Sequence, residues 1–589
     1  MLFFRDYWKR PLTLNELLEE AENLDVNDEQ IPSEIIIFPP DNNHLTDEDS
    51  GDEDTVDISN LPGGQLRADA EVNFENTESD IEDDLPLSHF VKRKKMSKPA
   101  KEKNEFIWTK NDITSDLPAW DAVCGPKQQD SPVDTLFSFF DDQVMNLLVT
   151  YTNLYATVQN RDADVTTDEM RCFIGILLLS GYNCLPRREM YWENSPDTNN
   201  KLVCNAMTRN RFRHIMQNLH CCDNANLAAD DRFAKLRPLI CLLNKKFMDM
   251  APPAEHHSVD ESMVPYYGRH PTKQFIRGKP IRWGYKLWTG TNRLGYIEWF
   301  EPYQGANTKL SDEYKSLGLG ASVVLEFVDT LKASDNKMNY HIFFDNLFSS
   351  LPLLSELKSR GVKGTGTIRE NRLPKNCPLV SSNEIKKQPR GNFDYATTVD
   401  NEIIVCKWHD NSIVNIVSNH ATVFPTIQVK RFSKTDKKVI LVPQPHIIKI
   451  YNENMGGVDR ADQNISLYRS SIRGKKWYFP LFTHFVDMAV QNSWRLHKFN
   501  GGKLDHLSFR RIIAVGILES FKKKSEGRTS KLPKGAHCFS KFDGVDHLVA
   551  YQEKQTRCIL CHKKSNFFCK KCTVALHPKD CFQKYHTQD

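Results

Sequence analysis

Apolar residues recur at three- and four-residue spacing through SPVDTLFSFFDDQVMNLLVTYTNLYA, MRCFIGILLLSGY and LRPLICLLNKKFMDMAP. That period predicts a helical region over residues 130–255. Thr166 with Glu169 makes a capping-box pattern ahead of the second helix, and Pro252 and Pro253 stop the last. After about residue 256 the pattern changes. HHSVDESMVPYYG reads as a strand, and GYKLWTGTNRLGYIEWFEPY as two strands around a turn. ASVVLEFVDTLK reads as a helix, MNYHIFFD as a buried strand, SLPLLSELKSRG as a helix ending on Gly361, and KGTGTIR as a short strand. This order predicts a mixed α/β core over 256–369. FDYATT, EIIVCKWH, SIVNIVSN and KVILVPQP form a β-rich stretch over 370–445. Helical spacing returns over 446–520.

The remaining segments differ in texture. Residues 1–105 contain the acidic block TDEDSGDEDTVD, which cannot offset its ordering entropy and is expected to be disordered. A short helix is expected there at residues 12–24. VKRKKMSKPAKEK closes this segment, and the run Lys92-Arg93-Lys94-Lys95 reads as a nuclear import signal or a phosphate-binding arm. Residues 521–549 form a basic linker, and 550–589 are rich in cysteine.

A chain of 589 residues is too long for one core, and several domains are expected. The longest apolar run, Phe173 to Leu179, is seven residues. A membrane span needs roughly 20. The first residues carry charges where a secretion signal would be apolar. The net charge of +2 hides an asymmetry. Residues 1–90 hold 25 Asp and Glu against 4 Lys and Arg, leaving 74 basic against 51 acidic residues in the rest. A basic body of this kind suits a polyanion, nucleic acid first.

Three acidic positions stand out. Asp260 lies in SVDESMVP, Asp345 ends the apolar run HIFFD, and Asp459 lies in MGGVDRADQ with Asp462 three residues on. A carboxylate at the end of a buried strand is costly unless it is paired. It can form a salt bridge, cap the following helix, or hold a metal. Three such groups could clamp two Mg²⁺ ions for phosphoryl transfer. Asp459 and Asp462 share a face if their segment is helical, and the glycine pair before them permits close backbone approach.

The strings SVDESMVPYYGRH, FFDNLFSS and YNENMGGVDRADQ, in this order, resemble the three catalytic blocks of the piggyBac transposase family. CFIGILLLSGY with LPRREMYW, LRPL, KQFIRGKPIRWGYKLW, GTGTIREN and RGKKWYFP are similar to the same family over roughly residues 130–589. The resemblance implies an RNase H-like catalytic core with a β-rich insertion, a helical region for dimerisation and DNA binding, and a small C-terminal zinc-binding domain. It implies metal-dependent cleavage and strand transfer at the ends of an element, with TTAA targets. It implies catalytic roles for Asp260, Asp345 and Asp459, with Asp462 matching a further aspartate. The partners implied are double-stranded DNA and a second copy of the chain. No membrane partner is expected, and the expected location is the nucleus. A domesticated DNA- or chromatin-binding protein that no longer cuts is the alternative, and a nuclease of another RNase H-like type is a third.

KQFIRGKPIRWGYK holds five Lys and Arg with Phe275, Trp283 and Tyr285 interleaved. Arg277, Lys279 and Arg282 are candidate phosphate contacts, unless this is a strand with its aromatics in the core. After the third carboxylate, Arg473, Lys475 and Lys476 are candidate DNA contacts. Trp477 is either a base-stacking residue or a core aromatic.

Five of the fifteen cysteines fall in the last 32 residues. Cys558 with Cys561, Cys569 with Cys572, then His577, Cys581 and His586 have the spacing of zinc knuckles. Seven or eight ligands imply two zinc ions, with His562 the candidate eighth. The pairing stays open. The ligand order resembles a PHD-type finger, so chromatin contact is as open as DNA contact.

Overall fold

The computed structural model describes residues 106–521 and 547–587, apart from 115–116, 119, 121–129, 196, 269, 277–280, 336–337 and 434–436. It also gives the backbone of three strands, Leu12–Thr13, Pro32–Ile37 and Asp69–Phe74. Beyond Thr13, the helix expected at 12–24 lies outside the described residues, as do Lys92–Lys95, Arg277, Lys279 and most of the basic linker. The chain forms two compact units, Met1–Lys523 and Lys524–Asp589.

The first unit opens with helices α1 (Pro132–Phe139), α2 (Asp142–Val158), α3 (Thr167–Ser180), α4 (Lys201–Ala206), α5 (Arg209–Asn218) and α6 (Arg237–Asp249). Thr166 and Glu169 make the reciprocal capping box that their spacing predicts. Two long helices from the far end of the unit, α11 (Phe479–Phe499) and α12 (His506–Ser520), pack into the same apolar core. Arg510 ties them together. Its guanidinium is buried, donates to Asp487 on α11 at 2.8 Å and donates to the Leu178 carbonyl on α3 at 3.0 Å.

The sheet at the centre is built from the five strands the sequence predicts and one more, Gln274–Ile276, in the stretch read as a candidate phosphate contact. They are β1 (His256–Pro265), β2 (Gln274–Ile276), β3 (Trp283–Asn292), β4 (Ile297–Pro302), β5 (His341–Phe344) and β6 (Lys363–Thr367). β4, β3 and β1 pair antiparallel, and β1, β5 and β6 pair parallel. The order β4-β3-β1-β5-β6, with crossover helices α7 (Leu319–Ser334) and α8 (Leu351–Ser359), is that of an RNase H-like core. α7 and α8 cover one face, where Val323, Phe327, Leu353 and Leu357 meet Val259, Ile342 and Phe344. On the helical-core side, Tyr285, Leu287 and Phe300 join the core built by α1–α6, α11 and α12.

The β-rich stretch over 370–445 continues this sheet. β7 (Phe393–Thr398), β8 (Ile404–His409) and β9 (Ile413–Ser418) form an antiparallel run, and β9 pairs with β6. β10 (Ile427–Ser433) and β11 (Lys438–Gln444) form a separate hairpin. Helices α9 (His446–Asn454) and α10 (Gly457–Leu467) then lead back to the core. No described helix is long and apolar enough to cross a membrane.

Replacing Arg510 by methionine removes the partner of a buried carboxylate, Asp487. Breaking such a pair costs about 3–5 kcal/mol. The expected outcome is a clear fall in the denaturation midpoint of the 1–523 unit. An unchanged midpoint would show that the pair does not hold these helices together.

Candidate active site and metal-ligating clusters

The parallel pairing of β1 with β5 runs His256 with His341 up to Val259 with Phe344. The next residues are Asp260, in the middle of β1, and Asp345, just past the end of β5, so the two carboxylates stand side by side on neighbouring parallel segments. Both are half-buried. Asp345 does not cap α8: that role belongs to Ser350, whose hydroxyl accepts from the Leu353 amide. Instead the Asp345 carboxylate accepts the Leu347 amide at 2.8 Å, and its carbonyl accepts the Ser349 hydroxyl. Arg372 braces the same loop through the carbonyls of Asn346, Leu347 and Ser349.

The third block reaches this place because of one glycine. A β-carbon on Gly457 would stand 2.4 Å from the Thr291 hydroxyl, 2.5 Å from the Asn292 carbonyl and 2.6 Å from the Ser258 hydroxyl. Only glycine lets α10 start this close to β1 and β3. The helix then follows β1, and the Ser262 hydroxyl donates to Asp462 at 2.6 Å. Asp459 lies in the first turn of α10 and is exposed. Asp462 thus holds the helix to the strand, and Asp459 stays open to solvent.

Tyr451 on α9 reports the convergence of the three carboxylates. Burial pushes its phenol above the ordinary tyrosine range, and the charges of Asp345, Asp260 and Asp459 push it further. Thr367, at the end of β6, hydrogen-bonds to it. Sequence reading passed over Tyr451 because an aromatic at helical spacing looks like core.

The candidate DNA contacts divide. Arg282, Arg473 and Lys475 are exposed. Lys476 is not available at the surface: its ammonium donates to the Leu219 carbonyl at 3.0 Å and lies over the Tyr155 ring. Trp477 is a core aromatic, stacked on His270 at 4.1 Å between ring centroids. In the basic stretch 273–286, Trp283 and Tyr285 are buried and Phe275 packs on Trp283. The side chain of Lys273 is buried over the Trp283 ring. The strand-with-core reading holds for those aromatics.

The C-terminal unit is built on the hairpin β12 (Val549–Arg557) and β13 (Lys564–Cys569), followed by helix α13 (Cys581–Thr587). Its buried core is Cys558, Cys569 and Leu576 alone among the described residues. Two groups of ligands stand in it: Cys558, Cys561, His577 and Cys581, and His547, Cys569, Cys572 and His586. Within each group the ligand atoms all lie within 4.8 Å of one another. Each is a four-ligand N/S set of the kind that holds zinc. All seven ligands read from the spacing belong to these groups. The eighth is His547 and not His562. His562 is exposed in the turn after Cys561, at φ 57°, and its amide donates to the Cys558 carbonyl. His547 escaped sequence reading because it lies ahead of the cysteine cluster, with no knuckle spacing to mark it.

The histidines are held for ligation. The Nε2 of His577 sits 3.1 Å from the Lys564 carbonyl, which leaves Nδ1 to face Cys561 at 3.3 Å. His586 uses the other nitrogen: Nδ1 sits 2.7 Å from the Phe582 carbonyl, and Nε2 faces Cys572 at 3.4 Å. A hydrogen bond from the far ring nitrogen fixes the tautomer a metal needs. The thiols respond to their crowding. Burial raises the pKa of Cys558, but the amides of Cys561 and Leu560, with His577, outweigh it and bring the group down to about 6. Burial and the neighbouring Cys561 and Cys558 push Cys581 up to about 11.

The family described as Transposase IS4 matches residues 131–494, which span the helical region, both strand-borne carboxylates and α10. The human PiggyBac transposable element-derived protein 2 is 44% identical over 94% of the chain and 93% of its own length. The chain belongs to the piggyBac transposase family. The human PiggyBac transposable element-derived protein 3 is 42% identical over 98% of the chain and 100% of its own length. A human chimeric ERCC6-PGBD3 protein is 42% identical over 99% of the chain, which spans 57% of that protein. The cryo-EM structure of a piggyBac transposase synaptic complex with hairpin DNA has a similar fold, with a TM-score of 0.56 and 20% identity over 77% of this chain and 96% of that one. The fold is therefore that of a piggyBac transposase.

Two outcomes test the geometry. Gly457→Ala forces α10 off the sheet, and overpacking of this kind costs about 1–3 kcal/mol. A lowered thermal midpoint is expected, and an unchanged one would remove the close-approach requirement. His547→Ala is expected to lower the zinc bound per chain, counted by native mass spectrometry, whereas His562→Ala leaves it unchanged. The reverse result would restore His562 as the eighth ligand.

Proposed function

We propose that the chain is a piggyBac-type DNA transposase acting in the nucleus, with Asp260, Asp345 and Asp459 as its catalytic carboxylates. The observation that carries this is the side-by-side placement of Asp260 in β1 and Asp345 just past β5, with α10 docked through Gly457 so that Asp459 acts on the same half-buried phenol of Tyr451. Acidic oxygens on two stiff strands and one helix are the donor set that hard divalent cations take. Magnesium, bound as a pair, supplies the charge that activates the attacking oxygen and neutralises the phosphate. The carboxylates bind and orient; they do not attack. Asp462 positions the helix through Ser262. The substrates in this reading are element ends and TTAA target DNA, with exposed Arg282, Arg473 and Lys475 meeting phosphates. Two ends held together call for a dimer.

The C-terminal unit binds two zinc ions in this reading, one in each ligand group. Its buried core is too small to fold it without metal. A second reading, a DNA- or chromatin-binding protein that no longer cuts, draws support from the human relatives, whose names describe them as derived from transposable elements.

The test is excision in cells, with the DNA flanking this protein's own gene placed around a reporter. Wild type is expected to excise seamlessly, and Asp345→Asn to lose excision by at least about a hundredfold, the scale of removing a charged contact in a reaction centre. Excision by both proteins would remove Asp345 from the site. Excision by neither, with both folded and nuclear and the flanking ends intact, would favour the binding protein.

A further inference from the structure

At the N-terminal end of β1, a cavity of about 220 Å³ opens between the turn after β3 and the end of α11. Four residue steps along the strand, about 13 Å, separate His256, on its rim, from Asp260. Its walls are apolar, from Pro253, Leu294 and Phe499 among others. Its charged groups are mostly cations: Arg293, Arg495 and Lys498. Among the described residues none of these three makes an ion pair. Glu255 also lines the cavity, but it is spent on Lys363, at 2.8 Å.

Arg495 is the most informative of the three. It is half-buried, and its Nε is shielded from solvent with no hydrogen-bond partner. A buried guanidinium donor left unused is costly, and its pairing with an acceptor would be charge-assisted. Burial, and then the nearby positive charge of Arg460, pull its pKa below the ordinary guanidinium value. Arg460 joins the cavity to the carboxylates. It follows Asp459 directly, and its Nη1 donates to the Arg293 carbonyl at 2.6 Å. Glu255 is drawn to Lys363 and His256, and Asp505 is near enough to feel the charge of Lys498, so three cations face these acids around an apolar hole; that excess suits an anion carried on a less polar body.

We infer that this cavity binds phosphate, as the phosphodiester of DNA or as the phosphate of a free nucleotide. A phosphate would meet Arg495, Arg293 and Lys498, and the apolar walls would cover a sugar or base. The DNA source rests on the transposase reading; the phosphate chemistry does not.

The test reads binding and not cleavage, so a chain that fails to excise still answers it. Purified full-length protein is titrated into a labelled mixed-sequence duplex at several salt concentrations, and separately with pyrophosphate and with ATP. The double variant R293Q/K498Q removes two cations near the surface. The single variant Arg495→Lys keeps its charge and removes the planar fork. For the DNA source, the double variant is expected to lose about tenfold in duplex affinity at low salt, with the salt slope reduced by about two. Arg495→Lys is expected to weaken affinity without changing the slope. For the nucleotide source, the duplex curves are unchanged, and ATP or pyrophosphate binds wild type at least tenfold more tightly than the double variant. Equal binding of all three probes by wild type and both variants, each folded by circular dichroism, would overturn the proposal. Arg293→Gln alone, at an exposed position, serves if the double variant does not fold.

Discussion

The first unit depends on the parallel pairing of β1 with β5. Parallel strands need a crossover, and α7 fills that role while burying its apolar face on the sheet. The pairing fixes which residues stand side by side: Asp260 in the middle of β1 and Asp345 just past the end of β5. A shift of one residue would turn Asp260 to the other face, away from α10, because side chains alternate with period two. The cost of holding two carboxylates next to each other is met by the rigidity of the surrounding layers, since β3 and β6 flank the pair and helices back both faces. Asp345 gains part of its compensation locally, from the Leu347 amide.

Much of this was legible in the chain. Strong periodicity marked each strand of the core and both crossover helices, because these segments bury one or both faces and must be apolar there. Asp345 was legible because a charge interrupts an apolar run. The role of Gly457 was half-legible: two adjacent glycines signal close approach, but only the fold tells which one is pressed against Ser258 and Thr291. What was not legible depends on contacts distant in sequence. Lys476 and Trp477 look like a nucleic-acid patch in a linear reading. They are interior because α2 and the loop after α5 close over them. The β-rich stretch reads as an insertion or subdomain, yet β9 hydrogen-bonds onto β6, and β8 and β7 follow it to extend the core sheet. Strand partners are chosen in three dimensions, and period alone does not name them.

The same limit explains His547. Knuckle spacing is a local signal, and it finds ligands that lie in tight turns. A ligand delivered by the start of a strand has no such mark. Its neighbour in space, His586, comes from the last helix, and the two rings lie 4.2 Å apart between centroids. The cluster exists only once β12, β13 and α13 are together.

The two ligand groups alternate along the chain. The outer group takes the first and last ligands with the middle pair, and the inner group takes the pairs between. Neither group belongs to a contiguous stretch of sequence. A cut anywhere between Cys561 and His577 divides both groups, so neither half keeps a complete site. Loss of His586 would take one ligand of the outer group, and with it the tether from α13 back to His547. His586, on α13, closes the ligand group that His547 opens.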